Sequence, residues 1–382
     1  MIITAPRLVT AAPDTGVLAP GYVVTSGGQI AAAGQGEPPG QPDVALDEGV
    51  LVPGLVDLQV NGYFGVELMD ASPAGWATVA GGLPATGTTA FLPTFITAPL
   101  GRLGDALRDA DGSVAKLDGG ARVLGVHAEG PFIAQARRGA HNPHWITEPT
   151  PEAVGGLLTA GAGVLRLVTL APETVGGLAA VARFAAAGVL VSVGHSDATA
   201  DQVARAADAG ARMVTHLFNA QRPMHHREPG VVGQALTDPR LTSGLIADLH
   251  HVAAPACAIA FAAAPGRICL VTDASSCAGM PPGRYELGGE PIEVPGDGAP
   301  PRRPDGTLAG SVLRMDEAIA NIVASGATTL AEAVAAASRV PADLIGRPDL
   351  GRIEPGAAAD LTWLGDDLRT RGTWIDGEKV YP

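Results

Sequence analysis

The feature that most limits how this chain folds is an alternation. Eight apolar, β-rich runs occur in order, nearly all separated by alanine-rich stretches of helical character. The runs are Leu55 to Gly62, Thr88 to Phe95, Val123 to Phe132, Leu165 to Glu173, Leu190 to Ala198, Met213 to Ala220, Thr242 to His251 and Ile268 to Ala274. Helical segments between them include Ala74 to Thr86, Thr174 to Ala187 and Thr199 to Ala209. Eight strands alternating with helices is the count of an α/β chain that closes into a (β/α)8 barrel. A doubly wound open sheet is the alternative, but no Gly-x-Gly-x-x-Gly turn follows the first run.

The two chain ends read differently. Leu8-Val9-Thr10, Gly21 to Val24 and Gln29 to Ala31 are short strand signals, with Gly27-Gly28 marking a hairpin. Ala359 to Leu364 and Thr373 to Gly377 look similar. Residues 1–50 and 350–382 are therefore expected to build one small β domain, a sandwich, around a catalytic barrel at 51–349. A chain of 382 residues, 46% apolar and 17% charged, has enough material for both cores.

Charge narrows the partners. A formal net charge of −14 with no Lys/Arg-rich run argues against nucleic acid and anionic membranes. An anionic small molecule would need positive charge gathered locally, and the basic cluster near mid-chain is His225-His226-Arg227. The three cysteines, Cys257, Cys269 and Cys277, are odd in number and lack zinc-ribbon spacing, which fits reduced thiols in a cytoplasmic protein. The first residues have no signal-peptide pattern, and no apolar run is long enough to span a bilayer.

Barrel enzymes carry their chemistry at the C-terminal strand ends. Here those ends read Asp57-Leu58-Gln59-Val60-Asn61, His127-Ala128-Glu129, His195-Ser196-Asp197, His216-Leu217-Phe218-Asn219, Asp248-Leu249-His250-His251 and Thr272-Asp273. Glu129, His195 and His216 would converge from three strands. One carboxylate and two imidazoles suit a catalytic zinc with an open position. Asp273, closing the last run, has the place and chemistry of a general base that later protonates the leaving amine.

With these residues in view, the chain resembles the N-acetylglucosamine-6-phosphate deacetylase family of the amidohydrolase superfamily. The matching motifs include Pro53-Gly54-Leu55-Val56-Asp57, His127-Ala128-Glu129-Gly130-Pro131-Phe132, Gly139-Ala140-His141-Asn142-Pro143, Gly194-His195-Ser196, Thr215 to Ala220, His226 to Gly230, Thr272-Asp273-Ala274 and Leu308-Ala309-Gly310-Ser311. The resemblance implies one divalent metal per chain on Glu129, His195 and His216. Zinc is the first choice by ligand type, with Fe2+, Mn2+ or Co2+ as alternatives. It implies that Asp273 is the acid/base and that His141 helps polarise the acetyl carbonyl. It further implies that Asn219, the Ala220 backbone, His251 and Arg227 bind the sugar phosphate, with Arg227 reaching a neighbouring subunit's site in a homodimer. Ala140, Leu308, Ala309 and Gly310 would line the sugar and acetyl group. His127 would stand behind the metal ligands rather than among them.

Two departures from the wider superfamily bear on the metal count. Gln59 and Asn61 occupy the first-strand positions where many amidohydrolases carry His-x-His, and no lysine lies between Leu165 and Glu173 to bridge a second ion. Both count against a dihydroorotase-like cyclic-amide hydrolase. The remaining alternatives are a deacetylase of N-acetylgalactosamine 6-phosphate and a sugar-phosphate-binding barrel without activity. Ser275-Ser276-Cys277 and Gln221 depart from the deacetylase pattern.

Overall fold

The computed structural model describes residues 1–12, 16–296 and 298–382. Eight parallel strands form the central sheet: Leu55–Val60, Thr88–Ile96, Val126–Glu129, Leu165–Leu170, Leu190–Val193, Met213–Val214, Thr242–Ile246 and Ile268–Val271. Each pairs in parallel with the next. A short extra strand, Arg122–Val123, lies beside the second. The sheet closes where the Asp273 amide donates to the Gln59 carbonyl at 2.9 Å and the Asn61 amide to the Ala274 carbonyl at 2.8 Å. The all-apolar runs follow from this geometry, because helices cover the outer face and side chains fill the interior. Every residue of Leu55–Val60 and of Thr88–Ile96 is buried.

The helices form where the sequence signals them. Thr199 caps Ala200–Asp208, with Gln202 completing a capping box, and Val203, Ala206 and Ala207 face the core. Such a cap is worth about 1 kcal/mol. The stretch Ala74 to Thr86 splits into an α-helix, Pro73–Gly82, and a 3-10 turn, Leu83–Thr86. The longest apolar run outside the strands, near Ala253 to Pro265, is the helix Ala254–Ala263. Among the described residues, no helix is long and apolar enough to cross a membrane.

The chain ends build two further sheets. One holds Gln29–Gln35, Gly21–Ser26, Ile2–Ala5 and Val44–Ala45 in that order. The other runs Glu378–Tyr381, Thr370–Ile375, Leu361–Leu364, Val50–Pro53, Leu8–Val9 and Val17–Leu18. Val50–Pro53 pairs antiparallel with Leu361–Leu364, so the segment entering the barrel belongs to this sheet. A separate core that includes Ile3, Leu8, Val23, Ile30, Leu51, Leu361 and Trp374 holds the two sheets together. Gly27 and Gly28 turn the hairpin with φ of +58° and +77°, a conformation that a Cβ would disfavour at both positions.

A second hairpin, Gly283–Leu287 with Glu290–Val294, follows the eighth strand. It packs through Leu287, Ile292 and Val294 onto Ile96, Cys277 and Ala309. Ser276 donates to the Glu286 carbonyl at 3.1 Å, and the Gly288 amide to Glu67 Oε1 at 2.8 Å. Ser276 and Cys277 thus seat this hairpin.

Candidate active site

Glu129 is the last residue of the third strand, while His195, His216 and Asp273 each stand two residues past the fifth, sixth and eighth. The parallel register brings these ends to one rim. The backbone there is bent sharply: φ is +48° at His195, +26° at His216, +50° at Ala220 and +51° at Asp273. Non-glycine residues avoid this region unless the surroundings hold them, and such strain gathers at functional sites.

The four side chains are at most 9% exposed. His195 Nε2 lies 3.2 Å and His216 Nε2 3.0 Å from Glu129 Oε1, and the two nitrogens are 3.1 Å apart. His195 Nδ1 is 2.9 Å from the Arg137 carbonyl, which only accepts, so this nitrogen carries the proton. Its Nε2 then offers a lone pair towards a carboxylate oxygen that also offers lone pairs. Two imidazole nitrogens and a carboxylate oxygen converging on one point form a ligand set that a cation between them would satisfy, and the set fits zinc. Glu129, His141 and His195 also have donor atoms within 4.8 Å of one another. The set with His216 is tighter, and His141 is engaged elsewhere.

That engagement is with Thr97. His141 Nδ1 lies 2.6 Å from Thr97 Oγ1 and accepts from the Thr97 amide at 3.4 Å. With Nδ1 accepting, Nε2 bears the hydrogen. Burial, then the nearby His195, hold His141 down to about 3, so it is a neutral N–H donor. His127 is bound on both nitrogens by threonines, Thr94 at 3.2 Å and Thr169 at 2.8 Å, beneath the Glu129 cluster.

Asp273 is held from the first strand. Gln59 Nε2 donates to its Oδ1 at 3.0 Å and Asn61 Nδ2 at 2.7 Å, while Gln59 also reaches Glu129 at 3.2 Å. Burial, then the charge of Glu129, push the Asp273 carboxyl up to about 6. Every hydrogen bond falls on Oδ1, which leaves Oδ2 for a proton.

These groups open into a cavity of about 270 Å³. Glu129, Ala140, His141, His195, His216, Asn219, Ala220, His251, Asp273, Leu308 and Gly310 line it. Asp248 Oδ2 holds His251 Nδ1 at 2.6 Å, so the ring is fixed with Nε2 free to act. Two residues singled out in the sequence stand apart. Ala309 is fully buried behind the wall, in the core under the hairpin. Arg227 is exposed, bonded to His226 at 3.0 Å, and outside the lining. His225 and His226 are also exposed, their rings 4.2 Å apart. Gln221 braces its own loop, accepting from the Phe218 amide and donating to the Thr215 carbonyl.

The sequence did not reveal Thr97, Ile96, Ile246, Leu287 or Thr307 as neighbours of the site. Ile96 and Ile246 end the second and seventh strands, and that position was the available signal. Leu287 and Thr307 arrive through the hairpin segment, which carries no motif.

Comparison with known proteins agrees with this architecture. A sequence model of the Amidohydrolase family matches residues 296–380. N-acetylgalactosamine-6-phosphate deacetylase of Escherichia coli O157:H7 is 39% identical, the match covering 87% of this chain and 88% of that protein. N-acetylglucosamine-6-phosphate deacetylase of Danio rerio is 38% identical, covering 88% and 86%. Among solved structures, an aspartate-to-alanine mutant of N-acetyl-D-glucosamine-6-phosphate deacetylase from Mycobacterium smegmatis, in complex with N-acetyl-D-glucosamine-6-phosphate, superposes with a TM-score of 0.94 at 35% identity. That match covers 100% of this chain and 99% of the other. On these likenesses the chain belongs to the N-acetylglucosamine-6-phosphate deacetylase family of the amidohydrolases.

Proposed function

We propose that this protein hydrolyses N-acetyl-D-glucosamine 6-phosphate to D-glucosamine 6-phosphate and acetate. The observation that carries the reading is the meeting of Glu129 Oε1, His195 Nε2 and His216 Nε2 within 3.0–3.2 Å, beside the buried Asp273. Those three residues hold one divalent cation per chain, zinc by ligand type, with iron, manganese or cobalt suited to the same donors. When bound, it supplies the Lewis acidity that polarises a carbonyl and acidifies water.

The chain's own groups do the rest. Asp273, as carboxylate, takes a proton at Oδ2 from the water that attacks the acetyl carbon. The neutral His141 donates Nε2–H to the acetyl oxygen as negative charge develops there, a term worth about 3 kcal/mol in comparable sites. Asp273 then passes its proton to the sugar nitrogen, the C–N bond breaks and acetate departs. Asn219, the Ala220 backbone and His251 bind the phosphate. Leu308 and Gly310, with Ala140, form the wall, and Ala309 backs it.

Arg227 completes the phosphate site of a second copy in a homodimer. Its exposure outside its own cavity supports this, as does the match of a guanidinium fork to phosphate. The Escherichia coli relative is named for the galacto epimer, so that sugar is included in the test. Acetate release should be measured with both phosphorylated sugars and their unphosphorylated forms. The reading expects the highest kcat/KM on N-acetylglucosamine 6-phosphate and fails if that sugar is not cleaved, whatever happens to its galacto epimer.

A further inference from the structure

His141 sits on a loop, not on a strand. The residues on either side of it are both tied to the segment that follows the eighth strand. Arg303 Nη1 donates to the Ala140 carbonyl at 2.8 Å, and Arg303 Nη2 to Glu290 Oε2 at 2.8 Å. Glu290 Oε1 in turn accepts from Asn142 Nδ2 at 2.8 Å. The side chains of Arg303 and Glu290 are 19% and 27% exposed, so the pair is partly shielded from solvent. Ala140 also packs onto the hairpin core of Leu287, Ile292 and Val294. Thr97 fixes the ring of His141, but it does not hold the loop backbone.

We propose that Arg303 and Glu290 are positioning residues for the reaction. They clamp the loop bearing His141 to the hairpin, so that His141 Nε2–H is aimed at the acetyl oxygen. The clamp acts on a donor needed as the oxyanion forms, so its loss falls on kcat more than on KM. Because oxyanion donors must be held to within a fraction of an ångström, releasing the loop should lower kcat about tenfold. The inference rests on the role given to His141 in the proposed function, and the test separates the two.

The test is a set of mutant cycles read as kcat and KM on N-acetylglucosamine 6-phosphate, with zinc content measured for each protein. Arg303→Ala and Glu290→Gln should each lower kcat with KM and zinc nearly unchanged. Glu290→Gln preserves shape and stands in if Arg303→Ala does not fold. Arg303→Lys should recover part of the loss. In a His141→Ala background, Arg303→Ala and Glu290→Gln should have no further effect on kcat. Further losses there as large as in the parent would overturn the clamp, since the pair would then act through something other than His141. A His141→Ala variant with near-parental kcat would instead overturn the role of His141 itself.

Discussion

Asn61 donates its side-chain N–H to Asp273 Oδ1 at 2.7 Å, joining the first and last barrel strands across 212 positions of sequence. Gln59 adds a second N–H to the same oxygen. The two first-strand amides are thus donors to carboxylates.

The first prediction follows from that bond. Asp273 must be ionised to accept a proton, and burial sets its carboxyl at about 6. Activity should fall as pH drops through a limb at or below about 6, since a bound cation favours the carboxylate. Asn61→Asp replaces a donor with a like charge, which raises the Asp273 pKa. The acid limb of kcat/KM should move up by about one unit or more. An unmoved limb would remove Asp273 as the titrating group.

Asp273→Asn keeps size and shape but cannot accept a proton at neutral pH. It should retain zinc and fold while kcat falls on the order of 10²-fold or more. A zinc-loaded variant with near-parental turnover would contradict the assignment.

Asp57 gives a stability prediction. Its Oδ2 accepts from Thr272 Oγ1 at 2.6 Å, yet full burial pushes its carboxyl up to about 7. Between the ordinary carboxylate value and about 7, the folded chain keeps a proton that the unfolded chain has lost. The contribution is therefore complete at low pH and is lost as pH rises through that window. Asp57→Asn does not titrate. Relative to the parent, it should gain on the order of 1 kcal/mol or more between roughly pH 4 and 8. Thermal melts at both pH values check this, and a constant difference would contradict it.

Arg227→Ala should weaken kcat/KM on the phosphorylated sugar far more than on the free N-acetyl sugar. Equal losses would indicate a structural role. Mixing Arg227→Ala with Asp273→Asn chains, with subunit exchange shown, should restore activity, because one site of each heterodimer has both residues intact. No recovery would place Arg227 in its own subunit's site.

The barrel was legible because its strands are buried runs, most of them ending in or followed by polar residues that packing alone does not call for. Glu129, His195, His216 and Asp273 stood out for that reason, and the parallel register brings them together. What was hidden depends on long-range contact. Thr97 meets His141 across 44 positions, and nothing in either local sequence announces it. The hairpin Gly283–Leu287 and Glu290–Val294 has exposed alternate residues and few apolar ones, so it gives a weak strand signal. Its Leu287 still reaches the cavity, because Ser276 and Glu67 anchor the turn.

The central claim is that one cation on Glu129, His195 and His216 supports hydrolysis of an N-acetyl sugar phosphate. The direct measurement strips the protein of metal with a chelator, then titrates zinc while recording acetate released from N-acetylglucosamine 6-phosphate. The account predicts negligible release without metal, a linear rise to one equivalent per chain and a plateau beyond it. Full activity in the stripped protein, or a rise that continues to two equivalents, would contradict it.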